Sequence, residues 1–342
     1  MAVSEIPEHT PIPQLLPWQA EQWQRLSTQW RARRCPHALL LSGQPGLGKR
    51  AFADAFSAVV LCAQPQDGQA CGSCKDCHLW QAGSHPDFLR VEPEKVGAPL
   101  KVEQIRRLDN FVSRTSGRGG ARLVWLAPAE AMNINAANAL LKNLEEPAAS
   151  VIFLLISDSP AGLLPTIRSR CQSIVFPSPP EEMALQWLRG RGLEESAAVR
   201  ALPLSGGAPL LAAELADTKC EEVRQQFLQE VTALSQGRVG AVAVAGRWET
   251  PPEHTDLGQL LQFWQQWVTQ MARVRSCNSM GDTQVMALLQ RLPGAGEGSL
   301  RALFAFYDQL LQARKGLASG ANPNRRLLLE ELMIRWSRLF SQ

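Results

Sequence analysis

This chain of 342 residues has little net charge, a single tyrosine and no long apolar run. Its longest apolar stretches, such as residues 151–156, are far too short to cross a bilayer. Residues 1–17 lack the basic and then apolar segments of a secretion signal, so we expect a cytoplasmic protein with no membrane partner. The formal net charge of +3 is too small to argue nucleic-acid binding by itself.

Cysteines number eight, and in a reducing compartment they are expected as thiols or metal ligands rather than disulfides. Four of them have the spacing C-x8-C-x2-C-x2-C, namely Cys62, Cys71, Cys74 and Cys77. Four thiolates at this spacing can surround one tetrahedral Zn²⁺ and leave no open position, which predicts a structural zinc module. The alternatives are free thiols, an iron–sulfur cluster, and ligation by His78 or His85. The remaining four are expected to be packing residues: Cys35, Cys171, Cys220 and Cys277.

The length predicts two or three domains. Apolar strands alternate with amphipathic helices up to residue 176, which indicates a parallel α/β sheet. A proline-rich segment follows at 177–180, and beyond it only helical patterns are recognisable. Two apolar stripes are expected to face a helical core: Leu257, Leu260, Leu261, Trp264, Val268 and Met271, and Leu300, Leu303, Phe304, Tyr307, Leu310 and Leu311.

Residues 37–50 place an apolar strand, the pattern G-x-x-x-x-G-K and a helix in succession, which is the layout of a phosphate-binding loop. Gly43, Gly46 and Gly48 allow backbone N–H groups to turn toward an anion, and Lys49 adds a positive charge. The next residue is Arg50, where an ATPase has a hydroxyl that holds Mg²⁺. The loop is therefore either a site for nucleotide or free phosphate, or only a tight connection.

Four motifs in one order resemble the clamp-loader AAA+ family of bacterial DNA polymerase III. They are the phosphate-binding loop, the cysteine cluster, N-A-L-L-K-N-L-E-E-P at 138–147 and S-R-C at 169–171. The resemblance implies an α/β domain followed by helical domains, joined into a five-membered ring. The expected domains are an AAA+-type P-loop domain over 1–176 with the zinc module at 62–77, a small helical lid over 177–213 and a helical collar over 214–342.

Within that family the chain is more similar to a non-motor subunit than to the gamma/tau motor subunits. The family's Asp-Glu pair, which holds Mg²⁺, falls on Ala127 and Pro128, and Glu130 lies two residues beyond. The lid arginine that senses phosphate falls on Pro209. With Arg50 in place of the hydroxyl, three separate segments lack a group needed for hydrolysis. The resemblance thus implies a degenerate site without ATP hydrolysis, and we expect no ATP binding.

In the motor family the arginine of the S-R-C motif reaches into the neighbouring subunit's ATP site. The resemblance therefore implies that Arg170 is an arginine finger acting in trans on a gamma/tau subunit. The alternatives are a surface arginine favoured by the helix dipole, or Arg168 as the finger.

The implied partners are the gamma/tau and delta subunits, the beta sliding clamp through an indirect or weak contact, and primer–template DNA within the assembled loader. The chain would thus be a subunit of a DNA-directed DNA polymerase complex, without polymerase chemistry of its own. Two rival functions remain, which are an active gamma/tau-like ATPase and a zinc-dependent DNA-binding module. ATP turnover by the isolated chain and its salt-sensitive DNA binding would distinguish them.

Overall fold

The chain forms two compact units, each with its own hydrophobic core. In this computed structural model the described residues are 11–95, 98–113, 117, 120–148, 150–216, 218–250, 252, 255–277, 283–292, 297–318 and 324–340. The first unit comprises Met1–Trp187 and Gly207–Leu211, and the second comprises Leu188–Gly206 and Ala212–Gln342. The division into three domains is finer than this one and stays a prediction.

Strands and helices alternate in the first unit, as the sequence predicts. In chain order they are α1 (Ala20–Arg31), β1 (Ala38–Ser42), α2 (Lys49–Leu61), α3 (Lys75–Gln81), β2 (Phe88–Val91), α4 (Val102–Val112), β3 (Arg122–Leu126), α5 (Ile134–Glu145), β4 (Val151–Ser157), α6 (Pro165–Arg170) and β5 (Gln172–Val175). Short 3-10 helices lie at Pro17–Gln19, Ala129–Ala131 and Pro160–Gly162.

The five strands form one parallel sheet with the order β2-β3-β4-β1-β5, which confirms the predicted fold class. In the register of β1 with its two neighbours, Leu40 pairs with Leu155 of β4 and with Ser173 of β5. Every residue of β4 is buried, as expected for a strand covered on both faces. Because parallel strands end at the same edge of a sheet, the segments that follow β1, β2, β3 and β4 meet there.

Helices cover both faces of the sheet, because successive side chains of a strand point to opposite sides. On one face Leu39 and Leu41 belong to a core with Phe52 of α2. On the other face Leu40 shares a core with Leu140 of α5 and with residues of α4. The result is a three-layer α/β/α unit that fixes the ends of its strands.

Helix α5 has clear signals at both ends. The Asn133 Oδ1 atom accepts a hydrogen bond from the Ala136 N–H at 2.8 Å, so Asn133 is the N-cap. The helix ends at Glu145, two residues before Pro147, which cannot continue a helix. Because the helix ends here, Glu145 is its last residue and precedes β4 and α6 in the chain.

After β5 the described residues contain helices and no strand. They are α7 (Glu181–Gly190), α8 (Glu195–Leu204), α9 (Pro209–Leu215), α10 (Thr218–Ser235), α11 (Ala241–Trp248), α12 (Leu257–Cys277), α13 (Thr283–Arg291), α14 (Glu297–Ala318) and α15 (Arg325–Leu339). Helices α7 and α9 each contribute residues to both units. In the described part of the chain, no helix has both the length and the apolar character that a membrane crossing requires.

An aromatic cluster forms the core of the second unit. The Trp264 ring centroid lies 5.6 Å from that of Phe227, 5.1 Å from that of Phe306 and 5.6 Å from that of Trp336. The Trp336 Nε1–H donates to the carbonyl of Val231 at 3.2 Å, which satisfies the buried indole. Several of the ten tryptophans are therefore core residues that join α10, α12, α14 and α15.

The predicted stripe on α12 is confirmed, because all six of its residues are buried. The stripe on α14 is wrong at one position. Phe304 is 55% exposed, and Phe306 fills the core between Leu303 and Leu310 instead. Leu303, Phe306 and Leu310 are spaced by three and four residues, so they share one face of the helix. Phe304 follows Leu303 by one residue and therefore points away from that face.

Candidate functional site

The glycine-rich loop over residues 43–48 connects β1 to α2 at the carboxyl edge of the sheet. Gly46 and Gly48 have φ angles of 80° and 79°, where an L side chain is strained. On the outer side of the loop, the Gln19 Nε2 group donates to the carbonyls of Leu47 and Gly48, each at 3.0 Å. The strand, loop and helix are thus arranged as the sequence predicts.

Lys49, the cation of this loop, is 3% exposed and is bound by the chain itself. Its ammonium donates to the carbonyls of Gly43 at 2.7 Å and Gln44 at 2.6 Å. It also forms an ion pair with the Asp158 carboxylate, with an Nζ–Oδ1 distance of 2.6 Å. Asp158 follows β4 directly, and sequence reasoning did not identify it. The rule that ligands bind beyond the carboxyl ends of parallel strands could have found it.

The segment 207–211 packs against the same loop. The Leu210 N–H donates to the Gly46 carbonyl at 3.1 Å. A Cβ atom added at Gly46 would lie 2.5 Å from the Leu211 Cβ, so this close approach requires glycine. Pro209 begins α9 here and has no charge to offer a phosphate. The position that the resemblance assigns to a lid arginine therefore has an apolar side chain.

Arg50, at the position of the Mg²⁺-binding hydroxyl, points to a carboxylate. Its Nη1 atom lies 2.7 Å from the Glu92 Oε1 atom, and its guanidinium lies 5.7 Å from the Trp125 ring centroid. Beside it, Arg90 forms an ion pair with Asp54 and stacks on Trp125 at 4.3 Å. Burial raises the pKa of the Asp54 carboxyl to about 6, against the opposing charge of Arg90.

The exit of β3 carries no metal ligand where the family has its Asp-Glu pair. Ala127 and Pro128 follow the strand and have no side-chain oxygen. The Glu130 Oε1 atom accepts hydrogen bonds from the N–H groups of Asp158 at 2.9 Å and Ser159 at 3.1 Å. Glu130 therefore binds the backbone after β4. Since Mg²⁺ prefers oxygen ligands, Ala127 and Pro128 do not fit the Mg²⁺ of an ATPase.

The four clustered cysteines converge on one point. The Cys62 Sγ lies 3.5 Å from that of Cys71 and 3.9 Å from that of Cys74, and the Cys71 Sγ lies 3.9 Å from that of Cys77. All four sulfurs lie within 4.8 Å of one another. Tetrahedral Zn²⁺ with bonds of about 2.3 Å places its sulfurs about 3.8 Å apart. The cluster therefore fits one metal ion such as zinc, as predicted.

Backbone N–H groups donate to sulfurs of the cluster, which favours thiolates, whereas burial raises the pKa of the Cys62 and Cys77 thiols. The Cys71 N–H donates to the Cys62 Sγ, and the Cys77 N–H donates to the Cys74 Sγ, both at 3.4 Å. Hydrogen bonds from the backbone N–H groups of Ser73 and Cys74 lower the pKa of the Cys71 thiol to about 6. Of the other cysteines, two pack against the core as expected and two have side chains outside the described residues: Cys35 and Cys171, then Cys220 and Cys277.

Neither candidate histidine belongs to this cluster of ligands. His78 is exposed on α3. His85 is buried, with its Nε2 atom 3.6 Å from the Asp76 carboxylate and its Nδ1 atom accepting the Asp87 N–H at 3.1 Å. Asp87 in turn lies 3.6 Å from the buried Arg122 of β3. These buried polar side chains connect the helix of the cysteine module to the sheet, and no pattern in the sequence indicated them.

Arg170 is the last residue of α6 and is partly exposed. Its Nη2 atom lies 2.6 Å from the Glu145 Oε1 atom, and its Nη1 atom donates to the Thr166 carbonyl at 3.0 Å. Arg168 is exposed on the same helix. The contact with Glu145 joins the two motifs that end α5 and α6, and sequence reasoning missed it because it depends on tertiary packing.

A five-stranded parallel sheet of this order, with a P-loop after β1, which lies between β4 and β5, and a helical second unit, defines an AAA+-type chain. Residues 18–180 match the profile of the family described as DNA polymerase III, delta subunit, and residues 221–338 match that of its C-terminal region. A solved gamma subunit-related protein of DNA polymerase III from Thermotoga maritima has a TM-score of 0.44 at 16% identity, covering 94% of this chain and all of that one.

Curated relatives identify the family. DNA polymerase III subunit delta′ of Pseudomonas aeruginosa is 40% identical over 95% of this chain and 98% of its own length. The subunit of the same name from Escherichia coli is 33% identical over 93% of this chain and 94% of its own length. The chain belongs to the delta′ family of DNA polymerase III subunits.

Proposed function

We propose that this chain is a subunit of the replicative clamp loader that does not hydrolyse ATP. It supports the ATP-dependent loading of the beta clamp onto primed DNA by the gamma/tau subunits. It also donates Arg170 to the ATP site of a neighbouring gamma/tau subunit. The observation that carries this proposal is the contrast between a phosphate-binding loop without Mg²⁺ ligands and a partly exposed guanidinium at the end of α6.

Three positions argue against hydrolysis by the chain itself. Arg50 replaces the hydroxyl that would hold Mg²⁺ and is bound to Glu92. The β3 exit offers Ala127 and Pro128 in place of carboxylates. Pro209 replaces the phosphate-sensing arginine. Each group that stabilises charge in phosphoryl transfer contributes orders of magnitude in rate, so the loss of all three leaves no efficient route to hydrolysis.

The position of Arg170 suits action on a neighbouring subunit. Its side chain is 35% exposed at the end of a helix, so a neighbouring anion can reach it. The guanidinium is planar and permanently charged, which suits bidentate contact with a phosphate. The contact with Glu145 is made through Nη2, and a guanidinium has five N–H donors, so donors remain for a phosphate while Glu145 holds the group in place.

The cysteine cluster contributes structure rather than chemistry in this proposal. Cys62, Cys71, Cys74 and Cys77 would hold Zn²⁺ and leave no position for a substrate. A zinc ion there fixes the segment between α2 and α3, which packs next to β2. Its role is to stabilise the first unit.

The remaining partners follow from the same proposal. The second unit would form the collar with the gamma/tau and delta subunits, and contact with the beta clamp would be indirect or weak. Primer–template DNA would be met within the assembled loader. Such a complex acts on the chromosome, which in bacteria lies in the cytoplasm.

A reconstituted loader that contains Arg170→Ala tests the finger. The matched control is Arg168→Ala, which removes an exposed arginine from the same helix. We expect turnover at the adjacent ATP site to fall by about a thousandfold with Arg170→Ala. Total DNA-stimulated ATP turnover should fall by the fraction that the adjacent site contributes. The loader should still assemble, and Arg168→Ala should behave as the wild type. Equal turnover in the two variants would remove Arg170 from this role.

A further inference from the structure

The ion pair between Lys49 and Asp158 lies inside the phosphate-binding loop. A lysine ammonium has three N–H donors. Here they are directed to the Gly43 carbonyl, the Gln44 carbonyl and the Asp158 carboxylate, at 2.7, 2.6 and 2.6 Å. We propose that Asp158 takes the place of a phosphate group in this loop and thereby keeps polyphosphate ligands out of it.

The backbone that carries Asp158 is held in place. The N–H groups of Asp158 and Ser159 both donate to the Glu130 Oε1 atom, at 2.9 and 3.1 Å. The Ser159 N–H also lies 3.2 Å from the Ser157 Oγ atom. The carboxylate therefore reaches Lys49 from an ordered segment, and little further conformational entropy is lost when the pair forms. An anion from solution has no such advantage.

The charges at the loop are balanced within the chain. A phosphate-binding loop attracts anions through its N–H groups and through the lysine. Asp158 neutralises that lysine, and Glu92 neutralises Arg50, the other cation at the start of α2. An incoming polyphosphate would have to displace the Asp158 carboxylate and would then meet it as a like charge. Exclusion of the ligand follows from this balance.

This inference deepens the proposed function and rests on it in one respect, because a subunit that does not hydrolyse ATP has no need to hold it. The two can fail separately. Tight polyphosphate binding by the wild type would overturn the role of Asp158 and leave the missing Mg²⁺ ligands unaffected. ATP turnover by the chain would overturn the proposed function, whatever the affinity of the Asp158 variants.

The test is a calorimetric titration of the isolated full-length chain with inorganic tripolyphosphate in the absence of divalent metal. The variant Asp158→Asn keeps the size of the side chain and removes its charge, and Asp158→Glu is the control that keeps the charge. We expect Asp158→Asn to bind at least about tenfold more tightly than the wild type. We expect Asp158→Glu to resemble the wild type, and the gain to disappear in the double variant Lys49→Met with Asp158→Asn.

Two outcomes would overturn the proposal. One is that the wild type binds tripolyphosphate as tightly as Asp158→Asn, and the other is that the gain survives in the double variant. A parallel titration with ADP distinguishes the source of the phosphates. If Asp158→Asn binds both ADP and tripolyphosphate more tightly than the wild type, the loop of the variant accepts nucleotides. If only tripolyphosphate binds more tightly, the loop accepts free polyphosphate. Both results support exclusion by Asp158.

Should Asp158→Asn fail to fold, the wild type still tests the proposal through amine acylation read by mass spectrometry. Lys49 is buried and bound, so it should react much more slowly than the exposed Lys142. Millimolar tripolyphosphate should leave the Lys49 rate unchanged. Fast acylation of Lys49, or its protection by tripolyphosphate, would contradict the proposed pairing.

Discussion

Glu145 and Arg170 form an ion pair that joins the end of α5 to the end of α6, with an Oε1–Nη2 distance of 2.6 Å. Together with the bond from Arg170 to the Thr166 carbonyl, it holds the guanidinium against its own chain. Both side chains remain partly exposed, so the pair has little influence on stability. Its role in the proposed function is to position the arginine.

Replacing Glu145 with Gln should therefore affect the loader more than the fold. We expect the free energy of unfolding to change by less than about 1 kcal/mol, because exposed ion pairs contribute little. In a reconstituted loader we expect turnover to fall by less than with Arg170→Ala, because the guanidinium remains but is less well oriented. The matched control is Glu146→Gln, an exposed neighbour. A positioning role is ruled out if the loader turns over ATP equally with either variant.

Removal of the metal should destabilise the first unit. We expect the purified chain to contain about one zinc ion and Cys74→Ser to lose most of it, because all four sulfurs converge on one position. Chelation should lower the free energy of unfolding by at least about 3 kcal/mol, since metal binding and local folding are coupled. Metal analysis and thermal melting measure the two effects.

Cys35→Ser is the control for the metal experiment, since Cys35 packs against the core outside the cluster. It should keep its zinc. A demetallated sample that melts like the untreated protein would show that the metal is dispensable for folding. Loss of zinc from the Cys35 variant would show that the ligand set is not the four clustered residues.

The Asp54 carboxyl predicts a pH effect on stability. Its pKa is raised by burial from 3.8 to about 6. Between these values the folded state holds a proton that the unfolded chain has lost, so this contribution to stability falls as the pH rises from about 4 to about 6. The full effect is at most about 3 kcal/mol. Denaturant titrations across this range should show a smaller decline for Asp54→Asn, and equal slopes would exclude the effect.

The aromatic core predicts which substitutions in the second unit are costly. Trp336→Ala removes a fully buried ring and an indole hydrogen bond, and we expect a loss of about 3–5 kcal/mol. Phe304→Ala removes a ring that is 55% exposed, and we expect a change below about 1 kcal/mol. Denaturant unfolding measures both. Similar losses for the two variants would contradict the assignment of Phe306, rather than Phe304, to the core.

The parallel sheet could be predicted because each strand is a short apolar run bounded by turn residues. The strand β4 covers the apolar stretch at 151–156, since burial on both faces requires an almost wholly apolar sequence. The cysteine cluster could be predicted because its spacing is local. Which of the two aromatic residues of α14 is buried could not be predicted in the same way. Phe304 and Phe306 are both phenylalanines, and only the packing of the helix determines that Phe306 is the buried one.

The contacts that matter most at the site were outside the reach of the sequence. Lys49 binds Asp158 across more than a hundred residues, and Arg170 binds Glu145 between two helices. Such pairs form only after the sheet brings the strand ends together. A pattern in the sequence identifies the loop and the arginine, but it does not show which carboxylate each of them contacts.

The most direct test of the account is steady-state ATP turnover by the purified chain alone, with Mg²⁺ present. We predict no turnover above buffer, because Arg50, Ala127 and Pro128 supply no side-chain oxygen at the positions where an ATPase of this family holds the metal. Lys49→Met should then change nothing. Turnover by the wild type that disappears in Lys49→Met would contradict the account, because the chain would then be an ATPase in its own right.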